Sequence, residues 1–450
     1  MPVHPVEYRY GTAEMRRIWD RNEWLRRMIM VEVALLRALS EVGLAPLEAA
    51  EKIHSLIESG DVTLEDVERW ERVTDHEVMA IVKALAEKSG RYGGYIHVGA
   101  TSNDITDTVL ATQLRDSINL IESRLKDVAL KLVDLSEKYK SLVCLGRTHG
   151  IAALPTTMGF KFAVYASEVV RHIERLEEAK PRICVGKMSG AVGTMASFGD
   201  KGFQIQKRVM AIMGVYEPTI ATQIVPRDGI AEFALLTAMI SSTLDKIANE
   251  IRNLQRSEIG EVEEPFREDS QVGSSTMPHK RNPIKCEKVC GLARIVRSMA
   301  LAALENIVLE HERDLTNSSC ERVMLPEVCL LLDEQLKTMA DVLRGLKVYP
   351  ENVRRNLEAQ KDLIMSEAVM IAMVSKGADR QWAHEVVRRC SMEAWKAGKR
   401  LRDVLAENSD VRKYLTVEEV EKAMKPENYI GTAVEQVEKV VAYIRGKLKA

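Results

Sequence analysis

The chain has 450 residues, of which 46% are apolar, so it is long enough for two or three domains that each bury a core. Its 64 Lys and Arg residues nearly balance its 66 Asp and Glu residues, leaving a net charge of -2. This balance argues against a dedicated nucleic-acid-binding protein, which needs a basic surplus.

The first part of the chain, residues 1–92, carries short amphipathic segments. Thr63 precedes one of them and Asp66 follows three residues later, which predicts a capped helix start. The sequence shows neither a signal peptide nor a run of about 18 uncharged apolar residues. We therefore expect a cytoplasmic protein that does not associate with membranes.

Five long helices are predicted in the central part, residues 93–347. Apolar residues recur there at spacings of three and four and form one stripe on each helix, as packed helices require. The stripes cover residues 114–135, 162–176, 233–254, 289–303 and 325–346. Glycine and proline between them predict loops at the ends of a bundle, within residues 146–155, 181–202, 214–226 and 261–283. No strand pattern of alternating polarity is evident.

Beyond Pro350 the predicted helices are short again and charged residues are dense. The expected fold is all-α, with three helical domains at residues 1–92, 93–347 and 348–450, the central one a long five-helix bundle. Seven cysteines form no CxxC pair and no zinc spacing, and no phosphate-loop or dinucleotide-binding glycine motif occurs. We therefore expect neither a metal nor a cofactor.

The most informative loop ends in Gly-Ser-Ser-Thr-Met-Pro-His-Lys-Arg-Asn-Pro, residues 273–283. Backbone amides near the start of the following helix would point at an anion. Lys280 and Asn282 could hold a carboxylate, while Ser274 or Ser275 could accept or donate a proton. The alternative is a flexible polar surface loop, which a string of this composition disfavours.

This string resembles the signature of the fumarase/aspartase superfamily, whose members eliminate fumarate from succinyl-type substrates. The resemblance implies a fumarase/aspartase-like fold and a loop that closes over substrate. It also implies that Ser274 is the general base and that Lys280 and Asn282 bind a substrate carboxylate.

A second loop, Gly-Arg-Thr-His-Gly, places His149 between small residues, where it is free to approach a ligand. Histidine suits proton transfer at neutral pH, although a lone histidine is more often structural. The string resembles the adenylosuccinate lyase form of the second superfamily motif. That resemblance implies that His149 is the general acid and that Thr148 lies beside the substrate.

A third segment, residues 97–108, places Thr101 and Ser102 ahead of a predicted helix. Hydroxyls and free amides at a helix start can bind an anion, although an ordinary helix cap is the alternative. The string Thr-Ser-Asn-Asp-Ile-Thr-Asp-Thr resembles the first superfamily motif, which binds the substrate carboxylates that become those of fumarate. We expect this segment to bind substrate through His97, Thr101 and Ser102.

In a fourth segment, two serines at a helix junction lie between Arg313 and Arg322. Such a cluster can ligate a phosphate through charge-assisted hydrogen bonds; a capped helix start with surface charges is the alternative. Adenylosuccinate lyases carry a similar string, which implies that Arg313, Ser318 and Arg322 bind the nucleotide phosphate. Many relatives have histidine where this chain has Asn317.

Shorter matches occur in the same order as in the family, so the resemblance covers nearly the whole chain. Arg9 and Tyr10 resemble a pair that contacts the nucleotide. His76 lies in a segment whose histidine belongs to the active site, where relatives often have a basic residue in place of Asp75. Gln223 matches a glutamine that contacts substrate.

The resemblance implies β-elimination of fumarate from adenylosuccinate, which gives AMP, and from the succinyl-carboxamide ribotide (SAICAR), which gives AICAR, in purine biosynthesis. It implies a homotetramer with sites shared between subunits, no metal, and no nucleic-acid or membrane partner. A 3-carboxymuconate cycloisomerase is the near alternative, but it has no phosphate for Arg313 and Arg322 to bind. An argininosuccinate lyase usually has a different loop after the methionine. A non-catalytic crystallin-like relative is disfavoured because Ser274, His149 and Lys280 are intact.

Overall fold

The structure, a computed structural model, describes residues 4–449, which form a predominantly helical chain. Five helices lie in its first part: α1 (Ala13–Trp19), α2 (Arg21–Glu41), α3 (Leu47–Ser59), α4 (Leu64–Thr74) and α5 (Glu77–Ser89). The middle part carries α6 (Ser102–Lys138), β1 (Val143–Thr148), β2 (Ile151–Thr157), α7 (Met158–Ile183), α8 (Gly202–Met213), α9 (Asp228–Leu254), β3 (Val262–Glu263), α10 (Ile284–Glu305), α11 (Thr316–Arg344) and β4 (Lys347–Val348). The last part carries α12 (Pro350–Glu358), α13 (Ser366–Ser375), α14 (Arg380–Ala397), α15 (Leu401–Glu407), α16 (Ser409–Arg412), α17 (Val417–Ala423) and α18 (Ala433–Lys449).

The five predicted long helices are confirmed as α6, α7, α9, α10 and α11. The predicted cap is confirmed as well. The Thr63 hydroxyl accepts from the Asp66 backbone amide at 3.3 Å, and the Asp66 carboxylate accepts from the Thr63 amide at 3.1 Å. These reciprocal bonds satisfy two amides that a helix start leaves without partners, so α4 begins at Leu64.

Two loop predictions need correction. The segment 146–155 belongs to an antiparallel hairpin, in which Val143 pairs with Thr157 and Thr148 with Ile151. Its short strands lack alternating polarity, so no strand pattern was visible in the sequence. Helix α7 also continues through Pro181 and ends at Ile183, so the proline removes one amide donor and lies only two residues from the end of the helix.

The chain folds into two compact units, each made of three segments. The first consists of the described residues up to Leu125 together with His172–Leu244 and Gly291–Lys337. One apolar core of this unit surrounds α2, which is buried on most sides and packs against α3 and α8. The division into domains near residues 92 and 348 stays a prediction.

The second unit consists of Lys126–Arg171, Asp245–Cys290 and the described residues from Thr338 onwards. Its apolar core joins α13, α14, α15 and α17 and includes Leu145 of β1, which fixes the hairpin to the helices behind it. Strands β3 and β4 form a second short antiparallel pair in this unit. Within residues 4–449, no helix combines the length and the apolar character needed to span a bilayer.

Candidate active site

His149 lies at the tip of the β1–β2 hairpin in the second unit. Because Thr148 pairs with Ile151, His149 and Gly150 form a two-residue turn, with φ angles of +54° and +76°. Positive φ at both central residues is the requirement of a type I′ turn, which matches the twist of the strands. Thr148 and His149 are both exposed, and the His149 ring makes no hydrogen bond or ion pair to any residue within 4–449.

The hairpin is anchored by an ion pair behind this turn. The Arg147 guanidinium donates to both carboxylate oxygens of Glu261, at 2.6 and 3.2 Å, and the Asn356 amide donates to the same carboxylate at 2.8 Å. The Glu261 side chain is completely buried. Sequence reasoning did not identify this pair, although Arg147 adjoins the predicted Thr148 and His149.

The signature loop, residues 273–283, is folded on itself. The Ser274 hydroxyl oxygen accepts from the backbone amides of Met277 and Thr276, at 3.1 and 3.3 Å. The Asn282 amide donates to the Gly273 carbonyl at 2.8 Å and so joins the two ends of the loop. Amide donors stabilise an oxygen that acquires negative charge, which suits a hydroxyl that gives up its proton.

Two acidic residues, Glu263 and Glu264, hold the C-terminal end of the signature loop in place. The Arg281 guanidinium donates to Glu263 at 3.1 Å. The Glu264 carboxylate accepts from the amides of Lys285 and Cys286, at 3.1 and 3.0 Å, and thereby caps α10. The helix predicted to follow the loop is therefore confirmed as α10, although it begins at Ile284, and the first amides that we expected to point at an anion are bound by Glu264 instead.

A cavity of about 520 Å³ adjoins the loop in the same unit and is lined largely by polar and basic side chains. Lys280 and Asn282 reach it from the loop, and Glu287 reaches it from α10. Sequence reasoning missed a set of polar residues at and just beyond the end of α9: Asn249, Arg252 and Asn253 on the helix, and Arg256 after it. The spacing of three and four residues from Asn249 was the available signal, because it places the three helical residues on one helix face. The two arginines and Lys280 make the cavity suited to an anionic ligand.

In the first unit, the start of α6 meets the start of α5. His76 caps α5, since its Nδ1 atom accepts from the Met79 amide at 3.3 Å. That bond assigns the proton to Nε2, which lies 3.4 Å from the Ser102 hydroxyl oxygen. The structure therefore brings the predicted residues His76 and Ser102 together at an exposed position.

Gln223 links two of the predicted segments. Its side-chain amide nitrogen donates to the Thr101 hydroxyl at 3.4 Å, and its oxygen accepts from the Arg313 guanidinium at 3.5 Å. Arg322, on the first turns of α11, lies 3.4 Å from the Glu77 carboxylate, next to His76. Contacts thus join His76 to Ser102 and join Gln223 to both Thr101 and Arg313, while Arg322 contacts Glu77, the neighbour of His76 in sequence.

Burial shifts the pKa values of two ionisable side chains among these residues. Burial raises the pKa of the Glu77 carboxyl, although Arg322 opposes the shift. Burial also lowers the pKa of the Arg313 guanidinium; the positive charge of Arg227 adds to the shift and Asp107 opposes it. A partly desolvated arginine gains more from an anionic ligand than a solvated one, so Arg313 is suited to bind an anion.

His97 is engaged by a carboxylate. Its Nδ1 atom lies 2.7 Å from Glu32, whose other oxygen accepts from the His97 backbone amide at 3.0 Å. Burial lowers the pKa of the ring, but the hydrogen bond and charge of Glu32 outweigh burial and raise it. Because the ring is already held by Glu32, only its Nε2 side remains for a ligand.

The remaining predicted residues, Ser318, Arg9 and Tyr10, also belong to the first unit. Ser318 is half-buried in the first turn of α11, where Asp314 accepts from the Thr316 amide at 2.7 Å as the cap. Arg9 is exposed, 6.0 Å from the centre of the Tyr10 ring. Tyr10 packs against Leu292, Val296 and Leu331. No group of three or more His, Cys, Asp or Glu side chains within residues 4–449 is arranged to hold a metal ion.

The comparisons with known proteins cover the full chain. A family model described as "Lyase" matches residues 7–298, and one described as "Adenylosuccinate lyase C-terminus" matches residues 362–440. The chain is 52% identical to the adenylosuccinate lyase of Pyrococcus abyssi, over 99% of this chain and 98% of that protein. It is 49% identical to the adenylosuccinate lyase of Methanocaldococcus jannaschii, over 99% of this chain and 97% of that protein.

A solved structure shares the fold. It is the 3-carboxy-cis,cis-muconate lactonizing enzyme from Pseudomonas putida, with a TM-score of 0.89, 30% identity and coverage of 99% of both chains. Sequence identity to adenylosuccinate lyases is much higher over the same length. The chain therefore belongs to the fumarase/aspartase superfamily of lyases and, within it, to the adenylosuccinate lyase family.

Proposed function

We propose that this protein cleaves adenylosuccinate into AMP and fumarate and SAICAR into AICAR and fumarate, in purine biosynthesis. The contact that carries the proposal is Gln223, which joins Thr101 of the carboxylate motif to Arg313 of the phosphate motif. A substrate with a succinyl group at one end and a phosphate at the other needs both motifs. The identity of about half the residues to adenylosuccinate lyases over the full length supports the same conclusion.

In the proposed mechanism, Ser274 first loses its hydroxyl proton to solvent and then, as the alkoxide, removes a proton from the carbon next to a substrate carboxylate. The two backbone amides at its oxygen stabilise the alkoxide. Lys280 and Asn282, together with Thr101 and Ser102, stabilise the negative charge that builds on the carboxylates. The carbon–nitrogen bond then breaks, its electrons go to the leaving nitrogen, and His149 supplies the proton for that nitrogen. The remaining four-carbon unit leaves as fumarate.

The nucleotide end would be held by the other predicted residues. Arg313, Ser318 and Arg322 bind the phosphate, and Arg9 and Tyr10 contact the nucleotide. His76, His97, Thr148 and Gln223 line the succinyl end. These groups supply proton transfer, orientation and charge stabilisation, so the mechanism requires no cofactor.

We further propose a homotetramer in the cytoplasm, with each site built from more than one subunit. Large apolar side chains are exposed along α9 and α10 of the first unit, at Leu235, Met239, Ile295, Leu301 and Leu304. Large exposed apolar side chains in this number are typical of surfaces that a second chain covers. The seven unpaired cysteines suit a reducing compartment.

The test is to follow the loss of adenylosuccinate and SAICAR in parallel with cyclisation of 3-carboxymuconate. Fumarate release from the purine substrates would support the proposal. Cyclisation without fumarate release would replace it with the cycloisomerase alternative, and loss of both activities in folded protein would favour a non-catalytic role.

Site sharing has its own test, in which inactive Ser274→Ala and His149→Asn proteins are mixed under conditions of subunit exchange. If subunits share sites, hybrid tetramers contain some sites with both residues intact, and activity returns. Labelled subunits establish that exchange has occurred. No recovery after demonstrated exchange would contradict sharing.

A further inference from the structure

A buried cluster of ion pairs lies beneath the candidate residues of the first unit. We name it the Arg227 cluster; it consists of Asp107 on α6, Arg227 just before α9, and Glu321 on α11. The two terminal nitrogens of Arg227 donate to the two oxygens of Asp107, each at 2.9 Å, and the Nε atom donates to Glu321 at 3.0 Å. The exposed fractions of the three side chains are 4%, 4% and 8%.

The cluster is closed by further hydrogen bonds. The Val225 amide donates to Asp107 at 2.8 Å, and Arg227 donates to the Val225 carbonyl at 2.8 Å. Asn103 donates to Asp107 at 3.2 Å, and Asn317 donates to Glu321 at 3.0 Å. Every nitrogen of the Arg227 guanidinium therefore has an acceptor, which a buried charge requires. Asn317 is itself buried and serves this cluster, so its side chain is committed to Glu321.

Three chain segments meet at this guanidinium, and each carries a candidate residue nearby. Helix α6 begins at Ser102, the segment before α9 contains Gln223, and α11 carries Ser318 and Arg322 in its first turns. A planar guanidinium has donors in a fixed arrangement, so it sets the angle and the distance between the carboxylates that it binds. A lysine in its place would keep the charge but lose this arrangement.

We propose that Arg227 is a positioning residue that fixes the span between the carboxylate-binding start of α6 and the phosphate-binding start of α11. The proposal rests on the proposed function, because only a substrate with both a succinyl group and a phosphate must fit that span. Binding at two linked points depends on geometry far more than binding at either point alone. Arg227 should therefore affect the binding of the intact substrate, and not the binding of AMP or fumarate alone.

The experiment compares the intact substrate with its two fragments. In Arg227→Met and Arg227→Lys, we expect the KM for adenylosuccinate to rise at least about 10-fold, with a fall in kcat. The inhibition constants of AMP and of fumarate, each alone, should change less than about threefold. Lysine should recover part of the melting temperature lost in the methionine variant without restoring KM.

A second variant covers the possibility that loss of Arg227 prevents folding. Glu321→Gln retains the Asp107–Arg227 pair and an acceptor for Arg227, but weakens the hold on α11. In Glu321→Gln, the KM for adenylosuccinate should rise by a smaller factor than in the Arg227 variants. The inhibition constants of AMP and fumarate should again change less than KM. The matched control is Lys180→Met, which removes the partly buried Lys180–Glu122 pair between α7 and α6 of the same unit, 2.6 Å apart. It should lower the melting temperature and leave all three constants unchanged.

Two results would overturn the proposal. One is an equal weakening of the binding of AMP, fumarate and adenylosuccinate in the folded Arg227 variants, which would indicate general loosening of the unit. The other is an unchanged KM for adenylosuccinate. Failure of the unsubstituted protein to cleave adenylosuccinate is a separate outcome, because it overturns the proposed function itself.

Discussion

Arg147 and Glu261 form a two-point ion pair directly behind the turn that carries His149, although 114 residues separate them in sequence. Because Glu261 is fully buried, Arg147→Met leaves a carboxylate without its counter-charge. We expect a loss of about 3–5 kcal/mol in the free energy of unfolding, and slower turnover from a displaced His149. Chemical denaturation and steady-state kinetics measure the two effects.

The control for this substitution is Arg388→Ala, which removes an exposed pair with Glu385 one helical turn away in the second unit. Solvent screens an exposed pair, so the effect on stability should be small. Equal destabilisation by the two substitutions would contradict the anchoring role of Arg147.

Removal of either proposed proton-transfer group should stop catalysis while the fold remains. Ser274→Ala and His149→Asn are each expected to lower kcat by about 10²–10⁴. Asparagine is chosen at 149 because it tolerates the positive φ of the turn better than alanine. Circular dichroism and melting curves establish folding, and fumarate release gives kcat. Near-normal turnover would remove that residue from its proposed role.

Loss of Arg322 should weaken nucleotide binding without affecting stability. The side chain is 66% exposed and its contact with Glu77 is long, so Arg322→Ala should change the free energy of unfolding by less than about 0.5 kcal/mol. A lost charge-assisted bond to phosphate should raise the KM for adenylosuccinate about 10-fold, with kcat nearly unchanged. Arg208→Ala, which breaks a comparable surface pair with Glu41, is the control. Unchanged KM in Arg322→Ala would argue against phosphate binding.

The His97–Glu32 pair predicts a stability that depends on pH. Burial opposes protonation of His97, but the hydrogen bond and charge of Glu32 prevail and raise the pKa of the ring. The folded protein therefore binds this proton more tightly than the unfolded chain. The stabilisation is complete below the ordinary histidine pKa of about 6.5 and is lost as pH rises through the higher folded value.

Glu32→Gln removes the charge that produces this shift. The difference in unfolding free energy between the unsubstituted and Glu32→Gln proteins should be larger at about pH 5.5 than at about pH 9. Denaturant titrations at both pH values provide the measurement. A difference that does not change with pH would show that the shift has another origin.

Thiol reagents should modify Cys320 before the other cysteines. Cys320 is half-exposed in α11, whereas the other six are buried, and burial raises the pKa of the Cys144 and Cys184 thiols to about 12. Thiolates are the reactive form, so buried thiols react slowly. Peptide mapping after limited labelling identifies the first site. Preferential labelling of a buried cysteine would contradict the prediction.

The sequence predicted the long helices because their apolar residues recur over many turns, and it predicted the candidate residues because they lie in contiguous strings. The β1–β2 hairpin was missed because its strands are short and contain Gly146 and Pro155. The Arg147–Glu261 pair and the Arg227 cluster were missed for a different reason. Partners in them lie 94 to 120 residues apart, so only the folded chain brings them together.

At His149, the stability of the turn is opposed to the proton transfer that we propose for its side chain. A non-glycine residue at positive φ costs about 1–3 kcal/mol relative to an unstrained residue, and glycine would relieve that cost. Selection for thermal resistance alone should therefore drive residue 149 away from histidine, whereas selection for growth without external purines should restore it. The hairpin is thus kept less stable than its backbone allows, by an amount that stabilising substitutions elsewhere in the second unit could offset.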